Sequence, residues 1–204
     1  SPERAVNIMP DKRERHILIT GFGGQGIVLA GDILGKAATL FDSKHATMAQ
    51  NYGPEARGGA CSSQVIISGE EILFPCVEEP DILVCMSQEA YTRNVKSLKP
   101  EGTLIWDTDL VHTKKADMQY KTFHIPATRF AEELGGKMMA NIVMLGFVSA
   151  VEPLVHADAL KKAVLDSVPP ATKDQNLRAY TKGREYGLSI IKGTIKQEQA
   201  KHQE

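Results

Sequence analysis

The sequence predicts an α/β fold in which a largely parallel sheet carries helices on both faces and is followed by a helical C-terminal section. A short β-branched run at residues 16–20 stops at a cluster of glycines, and apolar residues at helical spacing follow it. Strand-like and helix-like segments then alternate, and every segment after residue 126 has a helical pattern. Together these observations favour a Rossmann-like arrangement.

The first half of the chain is predicted to contain four strands and one helix. The strand at residues 16–20 leads through the glycines into a helix at 27–40, which is defined by its apolar spacing. Two further strands follow at 44–49 and 62–67. A short strand at 72–75, directly after a glycine turn, is expected to form a hairpin with the strand before it.

The second half repeats the order strand, helix, strand, which requires a right-handed crossover between parallel strands. Its strands are buried-type apolar runs, predicted at 81–86, 103–106 and 121–125. Its helices are predicted at 88–98, 127–134, 138–151, 157–167 and 173–192.

Length and composition indicate one folded domain. A chain of 204 residues, 42% of them hydrophobic, suits one sizeable core. We expect a flexible leader at 1–15, a single domain at 16–192 and a polar tail at 193–204. A net charge of −1 gives no basic field for nucleic acid or an anionic membrane. No apolar run reaches the about 20 residues that cross a bilayer, so the cytoplasm is the expected location.

Three cysteines, Cys61, Cys76 and Cys85, match neither a zinc pair nor the spacing of iron–sulfur ligands. We expect free, reduced and mostly buried thiols. Because one cluster takes four thiolates, any electron-transfer function would need its clusters from another polypeptide.

The glycine cluster Gly21-Phe22-Gly23-Gly24-Gln25-Gly26 satisfies G-x-G-x-x-G between a strand and a helix. Such glycines permit a tight turn, close approach of a ligand to the main chain, and packing of the helix on the strand. A dinucleotide site also needs an acidic residue at the end of the second strand. Asp42 falls in the loop before that strand instead, so two interpretations stay open: a nucleotide site, and glycines that only build the turn.

A long polar loop, Gln50-Asn51-Tyr52-Gly53-Pro54-Glu55-Ala56-Arg57-Gly58-Gly59, separates the second and third strands. It is longer than a connection needs. Arg57 offers a planar fork of donors that can bind a phosphate or a carboxylate, and the glycines after it leave room. The alternative is a contact between Glu55 and Arg57 within a surface loop.

Asn141 lies in an otherwise apolar helix, where an amide without partners costs about 1–3 kcal/mol. The sequence predicts either a satisfied core or interface amide, or a contact to the glycine-rich loop that orders a subunit interface. Met138 and Met139 are candidates for the same interface, with core packing as the alternative.

The two glycine-rich segments, in this order and separation, resemble the gamma subunit or gamma domain of 2-oxoacid:ferredoxin oxidoreductases. Glu79-Pro-Asp-Ile-Leu83, Met86-Ser-Gln88 and Asn141-Ile-Val-Met-Leu-Gly146 resemble the same family, and the similarity spans residues 16–190. The loop that contains Arg57 is most similar to the 2-oxoglutarate type.

The resemblance implies one subunit of a complex that decarboxylates a 2-oxoacid on thiamine diphosphate, passes electrons through iron–sulfur clusters to ferredoxin and forms an acyl-coenzyme A. This chain alone would bind no cofactor or metal and carry no catalytic residue, while the complex would use thiamine diphosphate, magnesium, iron–sulfur clusters and coenzyme A. The implied partners are alpha, beta and ferredoxin-like delta subunits, with ferredoxin as the external acceptor. A homodimer of the isolated chain is a further option that stays open.

In such a complex the chain would pack on the thiamine-binding subunits and help to form the coenzyme A site. The implied site residues are Gly21, Gly23, Gly24, Gln25, Gly26, Tyr52, Gly53, Pro54, Glu55, Arg57, Gly58, Gly59 and Asn141. Two other classes of function stay open: a freestanding NAD-dependent oxidoreductase that uses the glycine turn for its pyrophosphate, and a small regulatory nucleotide-binding module.

Overall fold

The computed structural model describes residues 13–52, 60–76, 79–197 and 202–203. A six-stranded sheet forms its centre. The strands of this sheet are β1 (Arg15–Phe22), β2 (His45–Tyr52), β3 (Ala60–Ser68), β4 (Ile82–Cys85), β5 (Thr103–Asp107) and β7 (Lys121–Ile125). A separate short ladder pairs β6 (Thr113–Lys114) with β8 (His202–Gln203).

The order of the strands across the sheet is β2-β3-β1-β4-β5-β7. The pairs β1–β4, β4–β5 and β5–β7 are parallel, whereas β3 is antiparallel to both of its neighbours, β1 and β2. Five of the six strands therefore run in one direction, which confirms the largely parallel sheet. Their carboxyl ends meet at one edge of the sheet, which we call the carboxyl edge.

The helices cover both faces of this sheet, as predicted. They are α1 (Ile27–Lys36), α2 (Gln88–Asn94), α3 (Ala127–Glu133), α4 (Ala140–Val151), α5 (Ala157–Ser167) and α6 (Lys173–Ile191), and α1 continues as a π-helical turn at Ala37–Phe41. Alternate residues of a strand point to opposite faces. Ile17 and Ile19 accordingly join the core under α1 and α4, whereas Leu18 joins a second cluster with Tyr91 and Trp106.

The C-terminal helices α4 and α6 pack with their main chains in direct contact. A Cβ atom added at Gly183 would lie 1.8 Å from the carbonyl oxygen of Val143, and one at Gly146 would lie 2.0 Å from that of Tyr180. No side chain fits between the two helices at these points. Glycine on each helix thus permits the closest approach in this part of the core.

The hairpin predicted for residues 72–75 is wrong. Those residues form no strand, and both edges of β3 are already occupied: Ile67 pairs with Arg15 of β1 and with Ala46 of β2. A strand has only two hydrogen-bonding edges, so β3 has none left for a third partner. The hairpin partner of β3 is β2, which precedes it in the chain.

Part of the polar tail lies against the sheet. The Gln197 side chain accepts a hydrogen bond from the His124 N–H at 3.0 Å and donates one to the Thr122 carbonyl at 3.4 Å. The Gln197 amide thus satisfies two main-chain groups on the outer edge of β7, the last strand of the sheet. In the part of the chain that the structure describes, no helix combines the length and apolar character that a membrane span requires.

The cysteines differ in exposure: Cys61 and Cys85 are buried, as predicted for most of the thiols, and Cys76 is exposed. Burial raises the pKa of the Cys85 thiol to about 12 and also raises the pKa of Cys61. Since only a thiolate is alkylated readily, we expect iodoacetamide at pH 8 to modify Cys76 at least tenfold faster than Cys85.

Peptide mapping by mass spectrometry after timed quenching measures these rates. The unfolded chain in guanidinium chloride is the control, and all three thiols should react at similar rates there. Equal rates for Cys85 and Cys76 in the native chain would contradict the expectation.

Candidate functional site

The glycine-rich turn lies at the carboxyl edge, directly after β1 and before α1. Gly21 and Phe22 still belong to the strand, the turn occupies residues 23–26, and α1 begins at Ile27. Gly24 and Gly26 have positive φ angles of 85° and 71°, which glycine adopts without strain. Because α1 begins at this edge, the main-chain N–H groups of its first turn face the same edge.

The Gln25 side chain holds this turn together from within. Its Oε1 accepts a hydrogen bond from the Phe22 N–H at 2.7 Å, and its Nε2 donates to the Met86 carbonyl at 2.8 Å. Oε1 also lies 2.3 Å from the position that a Cβ atom on Gly21 would take. Gly21 thus makes room for a side chain of the same turn, and Gln25 ties that turn to the end of β4.

Asn141 holds the other end of the turn. Its Nδ2 donates to the Gly26 carbonyl at 3.1 Å, and its Oδ1 accepts from the Ile142 N–H at 2.9 Å. The amide is 4% exposed and lies 2.2 Å from the position of a Cβ atom on Gly26. The predicted contact between Asn141 and the glycine-rich loop is therefore present, and both amides bind the main chain of the turn.

The ends of the second glycine-rich segment lie beside the turn. Ala60 pairs with Phe22 across β3 and β1, and Tyr52 pairs with Cys61 across β2 and β3. In the sequence, residues 53–59 connect these two strand ends. The site residues predicted there, Gly53, Pro54, Glu55, Arg57, Gly58 and Gly59, lie outside the described residues, and for Tyr52 only the main chain is described.

An open cleft of about 130 Å³ lies between the ends of β1 and β3 and helix α2. Its lining residues are Thr20, Gly21, Phe22, Asn51, Ala60, Cys61, Ser62, Ser87, Glu89, Ala90, Arg93 and Asn94. Sites that enclose a whole drug-sized ligand measure about 300–1,000 Å³. The cleft by itself is therefore too small and too open to enclose a ligand of that size.

Helix α2 is fixed against this cleft by its N-cap. The Ser87 Oγ accepts a hydrogen bond from the Ala90 N–H at 3.1 Å, so Ser87 caps the helix. One turn further, Arg93 and Glu89 form an ion pair at 2.7 Å on the wall of the cleft. Arg93 was not predicted, and its position one turn after a strand–cap junction is the sequence signal that could have found it.

A buried carboxyl group, Asp107, ends β5 at the same edge. Its Oδ2 accepts hydrogen bonds from the N–H of Thr128 at 2.9 Å and from the hydroxyl of Thr128 at 2.7 Å. Burial raises the pKa of Asp107, and these hydrogen bonds oppose the rise. Its Oδ1 accepts a hydrogen bond from the Asp109 N–H at 2.9 Å. Because both oxygens are occupied, Asp107 holds the first turn of α3 and the turn after β5 rather than serving as a base.

The structure is unfavourable for a dinucleotide at the glycine turn. In a dinucleotide fold the parallel strand beside β1 supplies the ribose carboxylate. Here β1 lies between the antiparallel β3, which begins at this edge with Ala60, and the parallel β4, which ends at Cys85, and neither strand places a carboxylate there. Asp42 lies elsewhere, where its carboxylate pairs with Lys44 at 3.2 Å. Within the described ranges, no group of three or more His, Cys, Asp or Glu side chains could hold a metal ion.

The sequence matches a known family of enzyme subunits. Residues 16–186 match the family model described as pyruvate ferredoxin/flavodoxin oxidoreductase. A 2-oxoglutarate synthase subunit KorC from Methanocaldococcus jannaschii is 49% identical over 181 residues, covering 88% of this chain and 97% of that protein.

Two solved structures share the fold. A gamma subunit of a keto/oxoacid ferredoxin oxidoreductase from Geobacter sulfurreducens superimposes with a TM-score of 0.75 and is 37% identical, covering 86% of this chain and 99% of that chain. A 2-oxoglutarate:ferredoxin oxidoreductase from Magnetococcus marinus, solved with 2-oxoglutarate, coenzyme A and succinyl-CoA, gives a TM-score of 0.78 at 22% identity. The match covers 95% of this chain and 34% of that longer chain.

Proposed function

The chain belongs to the pyruvate ferredoxin/flavodoxin oxidoreductase family and is the gamma subunit of a 2-oxoglutarate:ferredoxin oxidoreductase complex, and on this premise we propose that its carboxyl edge forms one wall of the coenzyme A site. The reaction is the oxidative decarboxylation of 2-oxoglutarate to succinyl-coenzyme A. Other subunits carry out the chemistry at the oxoacid. This subunit would orient coenzyme A, whose thiol accepts the succinyl group.

One observation carries the proposal: the glycine-rich turn and the two strand ends that flank residues 53–59 lie at the same edge of the sheet. The turn at 21–26 and the strand ends that hold residues 53–59 are adjacent through the pairing of Phe22 with Ala60. Ligands of open α/β sheets bind outside the carboxyl ends of the strands. An arginine in residues 53–59 would then meet a phosphate group beside the N–H groups of α1.

The half-buried amide of Gln25 and the buried amide of Asn141 support a rigid site. Their hydrogen bonds go to main-chain groups of the turn and of the adjoining β4 end and α4, so they position the turn and do not contact the ligand. A preorganised turn keeps its N–H groups in place without an ordering penalty when a ligand arrives. Of the predicted site residues, Gly23 and Gly24 are exposed at this edge and remain the candidates for direct contact in the turn.

The other cofactors belong to neighbouring subunits in this proposal. Four thiolates hold one iron–sulfur cluster, and this chain has three cysteines, two of them buried. Thiamine diphosphate, magnesium and the clusters would lie on alpha, beta and ferredoxin-like delta subunits, with ferredoxin as the electron acceptor. The cytoplasmic location stays a prediction of the sequence.

Replacing Arg57 by alanine tests the proposal in the assembled complex. We expect the KM for coenzyme A to rise roughly 10- to 100-fold, because a charge-assisted hydrogen bond contributes about 1.5–3 kcal/mol. The KM for 2-oxoglutarate should stay within about twofold. Steady-state kinetics with a saturating ferredoxin or dye acceptor gives both constants.

The matched control is Arg178→Ala, which removes an exposed arginine from α6 and should leave both constants unchanged. Oxoglutarate-dependent reduction of the clusters without coenzyme A should also survive in Arg57→Ala. Equal loss of the coenzyme A step and the oxoglutarate step would contradict a coenzyme A site on this subunit.

A further inference from the structure

Residues 72–76, Ile-Leu-Phe-Pro-Cys, form an apolar segment on the surface, outside the described strands and helices. Leu73 is 72% exposed and Phe74 is 81% exposed. Such adjacent apolar side chains on the surface of a soluble domain commonly mark a contact with another protein. The same residues have the composition of a strand, but none of the described strands of this chain pairs with them.

The main chain of this segment is also open. The Cys76 N–H donates to the Phe74 carbonyl at 2.9 Å, and no described residue accepts a hydrogen bond from the N–H of Ile72, Leu73 or Phe74. A surface segment with open main-chain groups and apolar side chains is suited to a groove on a partner. Burial of the side chains and pairing of the main chain would then occur together.

The charge around the segment restricts the partner. Between Gly69 and Asp81 five residues are acidic and none is basic. Asp81 pairs with Lys99 at 3.0 Å. The other four acids are glutamates, which flank the apolar residues on both sides in the sequence. A complementary surface has an apolar groove with lysine or arginine at its rim.

The segment lies away from the carboxyl edge. It follows the end of β3, where Ser68 pairs with His45 at the start of β2, whereas the glycine turn lies at the other end of that strand. The segment therefore offers a contact separate from the proposed coenzyme A wall. In the Magnetococcus marinus enzyme this fold makes up 34% of a longer chain, so the unit occurs there with a large attached neighbour.

We infer that residues 72–76 dock this subunit onto a neighbouring subunit of the same complex, through an apolar groove with a basic rim. The inference rests on the proposed function for the existence of that complex. The subunit then contacts its neighbours at two opposite edges of its sheet, with the coenzyme A wall at one edge and an anchoring segment at the other.

The test compares two identical dipeptides in the same chain. Leu73→Ser/Phe74→Ser removes the exposed apolar pair of the segment, and Leu40→Ser/Phe41→Ser removes the same pair from the turn after α1, where Leu40 is 66% exposed and Phe41 is 39% exposed. Each variant is titrated against the remaining subunits, and the dissociation constant is measured by sedimentation or biolayer interferometry. We expect at least tenfold weaker assembly for the first variant and less than twofold for the second.

Alkylation of Cys76 gives a second readout that does not depend on folding of a variant. Its rate in the wild-type chain should fall at least tenfold when the chain is assembled in the complex. Unchanged assembly of Leu73→Ser/Phe74→Ser, or an unprotected Cys76 in the complex, would overturn the inference. A dimer of the isolated chain that this variant alone disrupts would also overturn it, because the occupant would be a second copy.

Failure of the wild-type chain to assemble with thiamine-binding subunits is a separate result. It would overturn the proposed function, whereas normal wild-type assembly combined with normal assembly of the variant would overturn the docking segment alone.

Discussion

Gly183→Ala is expected to lower the free energy of unfolding by about 3 kcal/mol or more, the upper part of the range for overpacked cores. The added Cβ atom would lie 1.8 Å from the carbonyl oxygen of Val143 and 3.0 Å from the nitrogen of Phe147. Both atoms belong to the main chain of α4, so no rotamer change relieves the contact and the helices must separate. The gain of about 1 kcal/mol in helix propensity offsets only part of this loss.

Urea or guanidinium unfolding of the full chain, followed by circular dichroism, measures the change. Gly136→Ala is the control, since Gly136 has an extended φ of −177° and no atom lies within 4 Å of its added Cβ. That control should change stability by less than about 0.5 kcal/mol. A loss below about 1 kcal/mol for Gly183→Ala would mean that α4 and α6 are not in main-chain contact.

Gly26→Ala is expected to lower stability by about 2–4 kcal/mol and to raise the KM of the complex for coenzyme A. Two effects contribute. Alanine at a φ of 71° costs about 1–2 kcal/mol. The new Cβ also displaces Asn141 from the Gly26 carbonyl, and an unsatisfied buried amide costs about 1–3 kcal/mol.

A double-mutant cycle with Asn141→Ala separates these effects, because the smaller side chain removes the collision and leaves the strained φ. We expect the double variant to lose less stability than the sum of the two single variants. Chemical denaturation gives the stabilities, and kinetics of the assembled complex give the KM values. Strict additivity of the two losses would show that Asn141 does not occupy the space beside Gly26.

The fold was predictable in segments whose sequence has a single clear periodic pattern. The bounds predicted for β7, 121–125, and for α5, 157–167, agree with the structure. Helix 138–151 begins two residues later, because a 3-10 turn at Lys137–Met139 precedes α4. Such ends depend on hydrogen bonds of the last turn, which a periodic pattern does not specify.

Residues 72–75 show the limit of local patterns. Their β-branched and aromatic composition predicts a strand, but a strand also needs a free edge to pair with, and β1 and β2 occupy both edges of β3. Which edges are free depends on the order of strands across the sheet. That order places an antiparallel β3 between β2 and β1, and no periodicity within a single segment reveals it.

The candidate site was predictable in its location and only partly in its chemistry. The glycine motif between a strand and a helix identified the turn, and the buried polarity of Asn141 identified a hydrogen-bonding partner within it. The structural role of Gln25 was not predicted. Its side chain accepts from Phe22 at the end of β1 and donates to Met86 directly after β4, and these two groups are far apart in the sequence. Similarly, Gly183 and Gly187 form a Gly-x-x-x-Gly pair. That spacing indicates close helix packing only once α4 is known to lie against this face of α6.

The contact between α4 and α6 has a consequence for how the protein opens. The two helices meet through main-chain atoms at Gly146 and Gly183, so α6 cannot leave α4 without breaking this close packing. We expect the amide hydrogens of both helices to exchange with solvent as one cooperative unit.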